Sequence, residues 1–205
     1  MHNNQRELSV AALNILHHLF YKRPKSDYFN ELSKSGMFLS WPDLGEPLAL
    51  QDATQKILTS LHQDDIYTLE RDYYALFVGP GPVFSYPWGS VYSDRENLIC
   101  SKTTIAFQIF CDINGIQFDL QQKEPIDHIG LMLAVLSALI VQGNQQGVHE
   151  LLAEHLMPWA PRMLQLVEEQ SKTNLYQGVA ILARELLLFL TRTHGVTPKK
   201  IPLYF

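Results

Sequence analysis

At 205 residues the chain has room for one large domain or two small ones, and it is long enough to bury roughly 70% of its unfolded surface. A hydrophobic share of 46% with 18% charged residues excludes wholesale disorder, and a net charge of −5 without a basic stripe excludes the usual nucleic-acid binder. The acidic balance instead favours cationic partners such as a basic peptide.

The opening residues, MHNNQRELSV, show no charged region followed by an apolar core, so no secretory leader is expected. From Leu8 to Tyr21 the apolar residues Leu8, Ala12, Ile15, Leu16, Leu19 and Phe20 make a helical stripe, which Arg23-Pro24 ends. Asp27 to Ser35 reads as a short helix stopped by Gly36. Trp41 to Pro47 is loop, and Leu48 to Leu61 is helical again. Asp64 or Asp65 can cap the next helix, whose face carries Ile66, Leu69, Tyr73, Leu76 and Phe77 until Gly79 stops it. A proline- and aromatic-rich loop then runs to Glu96. Pro80, Pro82 and Pro87 each fix φ and remove a backbone donor there, and Pro82 to Tyr86 is demoted as a strand for the same reason. Long loops of this kind in compact proteins are more often functional than decorative.

Asn97 to Asn114 is predicted helical, with Cys100 and Cys111 as buried thiols upon it rather than a disulfide or metal pair. Ile116 to Lys123 has no clear pattern, and a seam between two helical parts can fall between Gly115 and Glu124. Ile126 to Gln142 is apolar nearly all round, so it belongs at the centre of the fold. Its apolar run from Ile129 to Val141, about 13 residues, is short of the roughly 20 that cross a bilayer. Val148 to Leu156, Ala160 to Gln170 and Leu175 to Thr193 complete the helices, and residues 195–205 form an irregular tail. The expected fold is all-α: one globular multi-helix domain over residues 1–205, with about eight or nine helices around an apolar central one. A soluble, cytoplasmic protein is expected.

Catalytic templates are quickly dismissed. Gly89-Ser90-Val91 lacks the second glycine of a nucleophile elbow, and Gly79-Pro80-Gly81 spends on prolines the amides a phosphate loop needs. His17 and His18 are adjacent and point about 100° apart on a helix, so they cannot share a metal, and His149 with His155 is little better. No cofactor or metal is expected. The segment Glu124-Pro125-Ile126-Asp127-His128 carries two readings. Glu124 or Asp127 caps the central helix with Pro125 in its first turn, or Asp127 and His128 face a groove where a carboxylate grips a guanidinium. Local chemistry leaves both open. Trp88 and Tyr92 have weaker reasons to be buried than Leu76 and Phe77, while Asp94-Arg95-Glu96 reads as a solvated run.

Leu76-Phe77-Val78-Gly79-Pro80, Pro87-Trp88-Gly89-Ser90-Val91-Tyr92 with Asp94-Arg95-Glu96, Gly115-Ile116-Gln117-Phe118, Glu124-Pro125-Ile126-Asp127-His128 and His155-Leu156-Met157-Pro158-Trp159 stand in the order and spacing of a known family. Together they resemble the TorD/DmsD family of redox-enzyme maturation chaperones over nearly the whole chain. The resemblance implies an all-helical, cytoplasmic, non-enzymatic chaperone. Such a protein binds the twin-arginine signal peptide of a molybdopterin-dependent reductase, here the dimethyl sulfoxide reductase catalytic subunit, and delays export until the cofactor is inserted. It implies a monomer for the most part, with swapped dimers open, and at most transient contact with the translocase. The peptide-binding residues it implies are Leu76, Phe77, Pro87, Trp88, Asp127 and His128, with Tyr73 and Tyr92 beside them; the charge of a signal arginine adds Glu124 as a second carboxylate next to Asp127. The chain departs from the family where Tyr73, Gly81 and Tyr92 replace tryptophans and where Tyr86 replaces the first of two prolines. The alternative is a guanine-nucleotide- or molybdenum-cofactor-handling enzyme on the same fold, for which no phosphate loop exists.

Overall fold

A computed structural model describes residues 3–120 and 124–205. Ten α-helices form among the described residues and no strand does; the one extended pairing is an isolated antiparallel bridge between Trp88 and His128. By internal contacts the chain divides into two units, each gathered from separated stretches. The first comprises Met1–Tyr21, Pro87–Pro161 and Thr191–Phe205, and the second Lys22–Tyr86 and Arg162–Leu190. The Gly115 to Glu124 seam suggested by sequence therefore falls inside the first unit, and its residues 121–123 lie outside the described part.

In the first unit, α1 (Asn3–Tyr21) packs along α7 (Ile129–Gln142), the apolar helix expected at the centre. Ten of the fourteen residues of α7 are buried, so its all-round apolarity is matched by all-round packing. Gly130 permits the close approach of α1: a Cβ there would lie 2.7 Å from Cβ of Tyr21. Arg6 donates from Nε to the Ile140 carbonyl at 3.0 Å and from Nη2 to the Val141 carbonyl at 2.6 Å, and so satisfies the last turn of α7 with a cation. The helix starts three residues later than the periodicity predicts. Neither Glu124 nor Asp127 caps it; His128 does, through Nδ1, which accepts from the Gly130 amide at 3.0 Å.

The second unit holds α2 (Ser26–Ser35), α3 (Pro47–Gln63), α4 (Ile66–Tyr73), α9 (Ala160–Gln170) from Arg162 onward and α10 (Asn174–Thr193) as far as Leu190. Asp65 caps α4, accepting from the Thr68 amide at 2.7 Å. Buried Asp72 accepts from the Ser171 hydroxyl, the Lys172 and Thr173 amides and the Thr173 hydroxyl, at 2.7–3.1 Å. One carboxylate thereby ties α4 to the turn that starts α10, and its desolvation is offset by these bonds.

The remaining helices are α5 (Gly89–Ser93), α6 (Lys102–Ile113) and α8 (Gln145–Glu150), all in the first unit. The short α5 was not expected within the proline-rich loop. Helix α6 begins five residues after the predicted Asn97, because Asn97 and Cys100 adopt left-handed backbone (φ 54° and 63°) and interrupt the helical run. Cys100 is consequently exposed and off the helix, contrary to expectation, while Cys111 is buried with its thiol pushed up to about 12 by burial and by Asp112.

Two helices loosen at their ends. Beyond α4 the Gly79 amide reaches the Tyr74 carbonyl (2.8 Å), and beyond α8 the Met157 amide reaches the Leu152 carbonyl (3.1 Å), each a wide i→i+5 turn. Such turns are rare and frequently mark functional positions. No described helix is long and apolar enough to cross a membrane, and no group of three or more described His, Cys, Asp or Glu residues is placed to hold a metal.

Candidate functional site

The two segments singled out by sequence meet backbone to backbone. Across the Trp88–His128 bridge, the Gly89 amide donates to the Asp127 carbonyl (3.1 Å) and the Ile129 amide to the Pro87 carbonyl (2.7 Å). Asp127 Oδ2 accepts from the Ser90 amide at 2.7 Å, which makes it the acceptor at the start of α5. Trp88 meets the His128 ring edge-on at 5.8 Å, Tyr21 meets the same ring edge-on at 5.3 Å, and the Tyr21 hydroxyl donates to Glu124. Pro87, Trp88, Glu124, Asp127 and His128 thus form one cluster.

Asp127 is only 3% exposed, yet its Oδ1 has no hydrogen bond, and the buried Ser90 and Thr104 hydroxyls are also unpaired. These hydroxyls are near enough to favour the ionised form without completing a bond of ordinary geometry to Oδ1. Burial outweighs them and holds the Asp127 carboxyl above the usual range. Native proteins leave few buried polar groups unpaired, and the Ser90 and Thr104 hydroxyls are donors that act on this carboxyl. His128 is driven the other way: burial, and then neighbouring His17, lower it to about 3, so it stays neutral at physiological pH.

Asp127 lines a cavity of about 190 Å³ together with Gly89, Phe107, Glu154, His155 and Trp159. The Trp159 ring lies against Gly89, where an added Cβ would come within 2.5 Å of it, and its Nε1 donates to the His155 carbonyl at 2.7 Å. The Gly89 of the aromatic loop is therefore required by this ring. Lys199 from the tail pairs with Glu154 at 2.8 Å, both side chains being partly exposed (59% and 45%), and its amide donates to the Ala153 carbonyl. The cavity so carries two carboxylates, aromatic walls and a resident lysine.

The family model of the nitrate reductase delta subunit matches residues 45–165. The Tat proofreading chaperone DmsD of Salmonella typhi is 34% identical over 184 residues, covering 88% of this chain and 87% of that protein. The chain belongs to the TorD/DmsD family of redox-enzyme maturation chaperones. A probable DmsD of Haemophilus influenzae is 29% identical (91% of each chain), and the TorD chaperone of Aliivibrio salmonicida is 28% identical over 67% of this chain and 71% of its own. The crystal structure of a redox enzyme maturation protein from Archaeoglobus fulgidus has the same fold, with TM-score 0.55, 18% identity and coverage of 90% of this chain and 94% of that one.

The residues picked out by the TorD/DmsD resemblance fall in both units. Tyr73, Leu76 and Phe77 belong to the second unit and are buried, Tyr73 and Phe77 packing on the Tyr176 ring at 6.1 and 5.8 Å. Tyr92 is in the first unit but fully buried, stacked on Trp159 at 5.5 Å and edge-on to Phe205 at 5.5 Å. These four are packing residues in this structure. Sequence reasoning missed Glu154, Phe107 and Lys199 as site residues; Glu154 sits directly before the His155 to Trp159 motif, which was the available signal. The family's Gly79-Pro80 stretch lines a second, larger concavity of about 590 Å³ in the second unit, with Arg23, Glu70, Arg71 and Tyr74. Its charges are largely engaged: Arg23 pairs with Glu70 and lies 5.6 Å from the Tyr74 ring centre. Gly81, between two lining prolines, has φ 89°, a conformation that favours glycine.

Proposed function

We propose that this chaperone works in the cytoplasm without catalytic turnover, mostly as a monomer. It binds the twin-arginine signal peptide of a molybdopterin-dependent reductase and withholds it from export until the cofactor is inserted. The dimethyl sulfoxide reductase catalytic subunit is the client in this reading. The observation that carries it is the unpaired Asp127 oxygen beside an aromatic-walled cavity that also holds Glu154. A guanidinium is the cation such a place suits, because its planar fork donates to carboxylates and hydroxyls while its faces stack on rings.

In this reading Glu154, at the open side, meets an arginine first and exchanges Lys199 for it, since a pair this exposed holds weakly. Asp127 receives a second donor group within, where Ser90 and Thr104 complete the acceptor set. Trp88 is half-buried, with an indole N–H that lacks an acceptor, and donates to the backbone of the bound peptide. Pro87, His128 and Glu124 hold Trp88 and Asp127 in register. Tyr92 backs the Trp159 wall, and Tyr73, Leu76 and Phe77 anchor residues 79–86, whose Phe84 and Ser85 amides donate to the Ala75 and Leu76 carbonyls.

Calorimetric titration of Asp127→Asn and Trp88→Ala with a reductase signal peptide tests this reading. Losing one partner of a buried charged contact costs about 2–5 kcal/mol, so Asp127→Asn should bind more than tenfold more weakly. Wild-type affinity in both variants would remove the two residues from the site.

A further inference from the structure

Helix α6 carries an apolar face that stands exposed among the described residues. Ile105, Ile109 and Ile113 recur every fourth residue and are 61%, 54% and 78% exposed, while the opposite side of the helix buries Thr104, Phe107, Phe110 and Cys111. A surface helix ordinarily turns polar residues outward. Here three β-branched apolar side chains, poor helix formers at solvent-facing positions, stand along about 12 Å of helix axis. Leu98 and Ile99, just before the helix, add exposed apolar surface.

The stripe adjoins the rim of the carboxylate cavity at Ile109. Thr103, Ala106 and Phe107 of the same helix line that cavity, and residues three and four apart are neighbours on a helix surface, so Ala106 adjoins Ile109. Both features lie in one unit, and together they make a surface that is acidic at the cavity and apolar along the stripe, with exposed Lys102 and Asp112 at the stripe's flanks. That order matches a peptide in which arginines precede an apolar segment. A second copy of this chain, with a net charge of −5, is a poor match for the acidic end. A helical apolar segment presents anchors at the same three- and four-residue spacing.

We propose that Ile105, Ile109 and Ile113 seat the apolar segment that follows the twin arginines of the signal peptide. The inference rests on the peptide-binding reading above and assigns the apolar contact to α6 rather than to the buried Tyr73, Leu76, Phe77 and Tyr92. The test is the triple variant Ile105→Gln, Ile109→Gln, Ile113→Gln, with Ile109→Gln alone as the milder form should the triple fail to fold. Glutamine is the better helix former and the positions are exposed, so thermal unfolding should be unchanged or slightly raised. Each protein is titrated with a full signal peptide and with one truncated directly after the arginines. The triple variant should bind the full peptide about tenfold more weakly or worse and Ile109→Gln measurably less, with the affinity for the truncated peptide unchanged in both. Unchanged affinity for the full peptide, while Asp127→Asn loses it, would overturn the α6 seat and leave the peptide-binding reading intact. No binding of the full peptide by the wild type would overturn both. A change in sedimentation from dimer to monomer with unchanged peptide affinity would make the stripe a self-association surface, which also overturns the proposal.

Discussion

Asp127→Asn should make the protein more stable at neutral pH while removing the carboxylate proposed to receive the peptide. In an unfolded chain an aspartate titrates near 3.9, whereas burial raises the Asp127 carboxyl in the folded state. Below the unfolded value both states hold the proton and the group costs nothing. As pH climbs through the raised folded value, the native state holds more proton than the unfolded one, so its stability falls. Above that value the folded protein carries a buried carboxylate with one unpaired oxygen. Asparagine removes the charge and keeps the acceptor for the Ser90 amide, and its NH₂ group finds the unpaired Ser90 and Thr104 hydroxyls. An unsatisfied buried group costs about 1–3 kcal/mol, and each kcal/mol moves the midpoint of a protein this size by about 2–4 °C. Thermal unfolding between pH 4 and 8 should therefore show Asp127→Asn pulling ahead of wild type as pH rises, by roughly 2–12 °C at the top of the range. A variant less stable than wild type at pH 7, or a difference that does not grow with pH, would refute the claim that this carboxylate is held against its own solvation.

Asp72→Ala strands two amides and two hydroxyls at the turn into α10, so urea unfolding should show a loss of about 3 kcal/mol or more. Gly89→Ala pushes a methyl into the Trp159 ring and should cost about 1–3 kcal/mol, with a changed near-ultraviolet signal reporting the displaced indole. His128, lowered to about 3, should give an NMR titration showing no protonation between pH 5 and 8. Because the unfolded imidazole protonates near 6.5, its contribution to stability is complete above that value and declines as pH falls from there toward 3. A His128 midpoint near 6.5 in the folded protein would contradict its burial between Tyr21 and Trp88.

The helices were legible because their stripes are dictated by the cores they build. The apolar surround of α7, the Asp65 cap and the Gly36 stop follow from local chemistry, and the structure repeats them. What could not be read depends on long-range contact. His128 rather than Asp127 caps α7 because Asp127 is already committed to Ser90, 37 residues earlier. Trp88 and Asp127 were brought together as expected, since a bridge pairs their segments. Tyr92 was expected to lie open in a proline-rich loop, but the unforeseen turn of α5 directs it inward onto Trp159. Helical spacing rightly pointed Leu76 and Phe77 toward the core, and Tyr73 at the end of α4 joins them there. The exposed isoleucines of α6 carry the same periodicity as a buried face, so sequence cannot distinguish a core stripe from a docking stripe.

The central claim is that guanidinium groups are recognised by the carboxylate cavity, and one titration addresses it most directly. Wild-type protein is titrated with a reductase signal peptide and with the same peptide carrying lysines in place of both arginines. A lysine keeps the charge but loses the planar fork that matches Asp127, Ser90 and Thr104, so the account predicts at least about tenfold weaker binding of the lysine peptide. Equal affinity for the two would contradict it.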